Sequence, residues 1–435
     1  MSALYEIPGA CNRLLVRGVP IRYGWSRAER GRIYRTAAVL LVLCQWGCTA
    51  SGGDTVPADI LSLDHLHAYP PGVSPTREIR LVEEMRYGDT ERDPLMVGGP
   101  EGNLARADGR GRVFVPDRQQ NTIHVFAPDG RYLTRLGSAG RGPGEFRIIG
   151  TLRVSPKHLY VYDNILHRIN VFSLDSLAFS HAVRPERISR SAGDESTLIP
   201  GDMFFVGRDG RLLMSFRTVL SDDKGEVDGA EMPRRDLYRY YWIDNQGEIV
   251  SRRIVEEEGP KSLVEPFHGI SMEITLPVYG RSLLTVSPGG TVYSARSDTF
   301  LIRQYDAEGN YRRAIYYPFQ KSLLRREDLV KQYDHGFDSP HLQAVKKIKL
   351  PETWPALQHM LADDRGRLWV ATIVDDQTVY GWWVLDMNRD GKLLARFRWP
   401  RGRSVEDIQS DWLYACETDT VSGEREIVRY RIFLD

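Results

Sequence analysis

The sequence predicts an all-β fold, a six-bladed β-propeller of four-stranded antiparallel blades, and three observations carry that prediction. First, DGRGRVFV from Asp108, DDRGRLWV from Asp363 and the looser SPGGTVYS from Ser287 repeat one pattern, a polar or glycine-rich turn running into a β-branched and aromatic strand. Second, IHVFAPDG (from Ile123), INVFSLDS (from Ile169), YYWIDNQG (from Tyr240), IRQYDAEG (from Ile302) and WWVLDMNRDG (from Trp382) each supply a strand that ends in a turn. Third, a further strand follows the hairpin, as in RYLTRLG from Arg131 or KLLARFRW from Lys392, which completes a unit of about four strands.

Taken in order, the turn signals place units near residues 104–137, 150–183, 201–255, 281–318 and 357–400, with a last one from about 405. The last unit has WLYAC (from Trp412) and EIVRYRIFL (from Glu426) but no outer strand. At the other end, EIRLVEEMRYG from Glu78 is a strand without a hairpin partner. Pairing a segment of about residues 77–88 with the last blade closes the ring and removes an open sheet edge. Insertions near 184–200, 220–236, 255–275 and 318–350 separate strands. In the last of these, SLLRREDLVKQY has apolar residues at helical spacing behind Ser322 as a cap, which predicts a short helix over one rim.

GSAGRGPGEF from Gly137, preceded by VFVPDRQQNTIHVFAPDG, resembles the NHL-type repeat, and LYVYDNILHRINVF from Leu159 follows the same pattern with Asp163 and Arg168. With LPETWPALQHMLADDRGRLWV from Leu350, the chain resembles bacterial six-bladed β-propeller proteins, many of them exported, over roughly residues 77–435. Later units depart from the pattern: Arg296 stands where the first two carry Asp. The resemblance implies that the Asp after the second strand lies toward the ligand end of the channel. It makes Asp117 with Arg118, Asp163 with Arg168, and Arg296 with Asp298 the candidate ligand-binding residues. Such residues equally serve to tie one blade to the next.

The N-terminal region carries an address. Arg27, Arg30, Arg32 and Arg35 precede the apolar run AAVLLVLCQWG from Ala37, which is followed by Cys48 and polar residues. A basic flank and a short apolar core make a secretory signal, too short to span a bilayer. Gly47-Cys48 resembles a lipoprotein processing site, which makes Cys48 the expected acylated residue, although Gln45 and Trp46 depart from the usual pattern; ordinary cleavage after Ala50 is the alternative. The expected division is therefore an N-terminal extension and signal peptide over 1–48, a flexible linker over 49–76 containing the Pro-rich YPPGVSP, and the propeller over 77–435. Of four cysteines, processing removes Cys11 and Cys44 and acylation uses Cys48, which leaves Cys416 as a small core residue with no disulfide partner.

Composition narrows the function. Lys plus Arg and Asp plus Glu both number 58, which gives no field to attract a polyanion, so nucleic-acid binding is not expected. No HExxH, EF-hand loop, CxxC pair, GxSxG elbow or phosphate loop occurs. His65 and His67 form an H-x-H pair, His335 and His341 sit in a long insertion, and His124, His158, His167 and His359 fall in or beside strands, where a hydrogen-bonded imidazole is the simpler reading.

The sequence thus favours a binding or scaffolding module for a peptide, a glycan or an envelope protein over an enzyme. The expected protein is a monomeric, exported, membrane-anchored lipoprotein of the cell envelope without a cofactor; a soluble periplasmic form is the alternative address. The alternative function, drawn from propeller enzymes, is a metal-dependent lyase or lactonase with Ca or Zn held at the channel mouth.

Overall fold

Six antiparallel sheets follow one another around a ring in the computed structural model, which describes residues 56–88, 105–186, 188–189, 197–219, 225–227, 230–232, 236–334, 338–418 and 425–435. The signal segment, Cys48 and His335 lie outside the described residues. Blade 1 holds Arg106–Ala107, Val113–Asp117, Thr122–Phe126 and Tyr132–Leu136; blade 2 holds Ile149–Val154, His158–Asp163, Arg168–Ser173 and Ala178–Val183. Blade 3 runs through Thr197–Val206, Leu212–Val219, Asp236–Ile243 and Val255–Glu258, with Ile188–Ser189 added beside its first strand. Blades 4 and 5 span Ser282–Tyr316 and Leu357–Pro400.

Blade 6 combines Arg403–Gln409, Trp412–Thr418 and Arg425–Leu434 with Ile79–Tyr87 from the other end of the chain. That strand pairs antiparallel with the last one, from Ile79 opposite Leu434 to Tyr87 opposite Ile427, with a bulge between Glu83 and Met85. The predicted closure is therefore present. Its energetics are those of the other blade boundaries: Tyr87, Tyr414 and Ile427 of blade 6 pack with Val113, Val115 and Phe126 of blade 1. Similar apolar clusters fill the boundaries between blades 1 and 2, 2 and 3, 3 and 4, 4 and 5, and 5 and 6. Each fully buried large apolar side chain in such a layer contributes about 1.5–3 kcal/mol, so the ring is held by sheet-to-sheet burial all the way around.

The recurrent turn explains itself at the level of atoms. Asp108 Oδ1 accepts from the amides of Arg110 and Arg112 while its Oδ2 accepts from Arg112 Nε at 2.7 Å. Asp363 does the same for Arg365 and Arg367, and also takes the indole N–H of Trp369 at 2.8 Å. In the GPGEF segment, Glu145 accepts from the amide of Gly142 at 2.7 Å and Phe146 is fully buried. Gly137, at φ 72°, lies so close under the Phe146 ring that a Cβ would stand 2.3 Å from it, so only glycine fits.

Residues 56–76 correct part of the expected linker. Ala58–Leu61 forms a short helix whose Ile60 is buried against Leu301, Ala314 and Tyr316 of blade 4. Leu66–Ala68 then adds a parallel fifth strand to the outer edge of that blade. Tyr69 stacks on Tyr317 with ring centroids 4.4 Å apart, and the amides of Thr76 and Arg77 both donate to Leu394 O of blade 5. The physical reason is edge protection: the outer strands of blades 4 and 5 present unpaired backbone groups, and this strap satisfies them. The signal missed was Ile60, Leu66 and Tyr69, apolar residues among Pro and Gly.

The insertion before blade 5 forms two helices, Arg326–Tyr333 and Pro340–Lys347. The first begins four residues after Ser322, which instead donates to Ile373 O at 3.4 Å. The second is capped by Ser339, whose Oγ accepts from the Leu342 amide at 3.1 Å, with Pro340 at the first helical position. Both helices pack with the hairpin Ser262–Thr275 over a shared cluster of Leu263, Ile274, Leu329, Val345 and Trp354. Cys416 is buried as expected, and burial pushes its thiol pKa up to about 12.

Candidate functional site

The six residues singled out by sequence lie where the second strand of a blade turns into the third. Asp117 is buried and its Oδ1 accepts from the amides of Gln119 and Gln120, both at 2.9 Å; Arg118 follows, half-buried, in the same turn. Asp163, fully buried, repeats this with the amides of Ile165 and Leu166, and its Oδ2 takes the Arg147 amide at 2.7 Å. Arg168 donates to the carbonyls of Arg141, Gly142 and Glu145, clamping the connection between blades 1 and 2; burial, then Arg184, lowers its pKa. Arg296 reaches Asp298 at 3.3 Å, Glu258 at 3.4 Å and Gly280 O. The two aspartates and Arg168 are thus engaged in holding turns and connections. The Arg296–Asp298 pair stands at the foot of blade 4, beside Arg281.

A different set converges on the ring axis. The penultimate residues of the first strands in blades 1 to 5 are Arg106, Arg153, Phe205, Thr285 and Leu361. In blade 6 a bulge between Val405 and Asp407 shifts the register of Arg403–Gln409, the strand that carries Asp407. Arg106 donates to Glu406 O at 2.6 Å, and the Ala107 amide donates to Asp407 Oδ2 at 2.9 Å. Arg153 lies over the Phe205 ring at 4.9 Å and donates to its neighbour's carbonyl, Leu152 O, at 2.9 Å.

Arg153 is electrostatically coupled to Arg106 and Asp407. The first strand of blade 1 lies against those of both blade 2 and blade 6, which brings Arg153, Arg106 and Asp407 to the same inner region of the ring. Burial, reinforced by repulsion from Arg106, pulls the Arg153 guanidinium down to about 9, with Asp407 partly offsetting the shift. Burial likewise raises the Asp407 carboxyl against the opposing pull of Arg106. The result is a desolvated cluster in which the Arg106 and Arg153 guanidinium groups and the Asp407 carboxylate act on one another.

The opposite end of the first strands carries His359 and Arg281. Arg281 donates to Gln358 O at 2.9 Å, and the His359 ring lies 6.0 Å from that of Tyr380, itself covered by Arg401 at 4.6 Å. Water reaches His359, yet the surrounding protein and the charge of Arg281 bring its pKa to about 4. Between about pH 6.5 and 4 the unfolded imidazole takes up a proton that the folded one refuses, so stability falls on acidification through that window. His359→Gln is expected to flatten this slope in urea unfolding measured at stepped pH; an unchanged slope would assign it to other groups.

Sequence reasoning passed over Arg106, Arg153, Arg281 and Asp407. The available signal was a charged residue inside the first strand of a repeat, as in LRVSP from Leu152, where a neighbouring unit has LTVSP from Leu284. Among the described residues, no three His, Cys, Asp or Glu side chains come together to hold a metal ion. His67 stands against Tyr69 at 4.5 Å and His341 stacks on Tyr333 at 5.1 Å.

Residues 102–188, blades 1 and 2, match the model of the family DUF5128, described as a 6-bladed beta-propeller. The chain folds as a six-bladed β-propeller. No curated protein matches its sequence. Among solved structures it is similar to a candidate exported protein of Bacteroides fragilis, with 11% identity, 85% of this chain and 99% of that chain covered and a TM-score of 0.45. A DUF4221 family member from Bacteroides vulgatus gives 11%, 82%, 99% and 0.43 in the same order. Virginiamycin B lyase from Staphylococcus aureus gives 11%, 81%, 99% and 0.37. These likenesses carry no residue and no activity over to this propeller. Among the described residues, no helix is long and apolar enough to cross a membrane.

Proposed function

We propose that this propeller is an exported binding module, anchored through Cys48, that holds an acidic group of a peptide, a glycan or an envelope protein at its axis. The observation that carries the reading is the convergence of Arg106, Arg153 and Asp407 from blades 1, 2 and 6. Among the described residues, no carboxylate is in ion-pair contact with Arg153, which is already stripped of much of its water. An incoming carboxylate therefore meets a donor whose desolvation cost was met on folding, and a charge-assisted hydrogen bond there is worth about 1.5–3 kcal/mol. The same field disfavours a metal ion at this level, since Arg106 and Arg153 repel cations from Asp407. Arg281 does so beside His359.

The test is retention of envelope components on the immobilised propeller, wild type against Arg153→Met. Specific retention that is saturable and falls about tenfold or more in the variant supports axial recognition. Equal retention by both proteins, or none by either, would contradict it. Mass spectrometry of the mature N-terminus checks the anchor separately: an acylated Cys48 is expected, and an unmodified residue 51 at the N-terminus would exclude it.

A further inference from the structure

A second concavity, of about 440 Å³, lies away from the axis at the boundary of blades 5 and 6. Arg77, Arg365, Arg367, Arg389 and Lys392 line it, with Asp386 as its carboxylate. These residues come from three separate pieces of chain: the end of the N-terminal strap, the turn between the first two strands of blade 5, and the hairpin that leads into its last strand. Not all five charges are available. Arg367 is held by buried Asp363, and Arg365 pairs with Asp411 at 2.8 Å. Arg389 only reaches Asp386 at 3.7 Å, Arg77 donates to Leu434 O at 3.2 Å, and the Lys392 ammonium has no ion-pair partner among the described residues. Three exposed cations, Arg77, Arg389 and Lys392, thus face one carboxylate around a concavity large enough for a polar group.

We propose that this groove is a phosphate-binding site, distinct from the axial cluster. Three donors arriving from two chain segments, the strap and the hairpin into the last strand of blade 5, suit a tetrahedral group with several oxygens better than a planar carboxylate, which offers two. Guanidinium forks and an ammonium are the side chains that pair with phosphate, the first bidentate and the second as a point charge. The site takes the phosphate of a soluble ester or of a lipid headgroup. In the second case the blade 5–6 face of the disc rests against an anionic membrane.

The test uses the full chain carrying Cys48→Ser, so that no acyl group contributes, with Lys392→Glu/Arg389→Glu and Arg153→Met as comparisons. Calorimetric titration with inorganic phosphate and glycerol phosphate is expected to show saturable binding, weakened about tenfold or more by the double charge reversal in the wild-type and the Arg153→Met backgrounds alike. Both reversed positions are exposed, and matching circular dichroism will establish that the variant is folded. Co-sedimentation with vesicles containing one third phosphatidylglycerol, lost in the double variant and competed by phosphate, identifies the lipid source. Phosphate binding without vesicle binding identifies the soluble one. Absence of saturable phosphate binding, or equal binding by the double variant, overturns the proposal. Loss of the axial effect alone leaves this site standing.

Discussion

Deleting residues 77–88 will abolish cooperative unfolding of the ring. The deletion removes the strand Ile79–Tyr87 and leaves the whole outer edge of Arg425–Leu434 unpaired. It also takes Tyr87, fully buried, out of the cluster that joins blades 6 and 1. Neither loss can be made good elsewhere, because the other blades supply all four strands from contiguous chain. An open ring exposes two apolar sheet faces and a free edge, the conditions for aggregation. A milder variant, Tyr87→Ala, is expected to cost about 3–5 kcal/mol, the range for removing a buried aromatic side chain. Calorimetry and urea unfolding check both. A deletion variant that still unfolds in one sharp transition would show that closure contributes little.

Asp407→Leu will have the second largest effect. The substitution removes the carboxylate that acts on both Arg106 and Arg153 and leaves the Ala107 amide without the acceptor it has in the folded protein. Removing one partner of such a desolvated set costs about 3–5 kcal/mol, because the attraction that offset its desolvation is lost while the burial remains. Adding Arg153→Met to Asp407→Leu is expected to recover a large part of that loss, since one of the two repelling cations is gone. Double-mutant analysis by urea unfolding reads the coupling directly. Additive losses would mean that Asp407 and Arg153 do not interact across the axis.

Legibility in the sequence followed the range of the interactions. Turn chemistry is local, so Asp108 and Asp363 announced their hairpins, and the unmatched strand near residue 80 announced the closure. The strap escaped notice because its partners, Tyr316 and Leu394, lie hundreds of residues away and three short elements carry little periodicity. The same held at the site. Asp117, Asp163 and Arg168 sit in a repeating sequence pattern, and repetition marks what every blade needs, namely turn and connection geometry. Arg106, Arg153 and Asp407 break the repeat, and only the ring brings the three breaks to one axis. Pro340–Lys347 was missed although Ser339-Pro340 is a helix start signal, because the intervening DHGF reads as a loop.

The central claim, that Arg153 is the recognition point on the axis, is tested most directly by following arginine Nε–Hε resonances during titration with glutarate, a simple dicarboxylate. The account predicts saturable shifts confined to Arg153 and Arg106, absent in Arg153→Met. Shifts spread evenly over surface arginines, or none at Arg153, would contradict it.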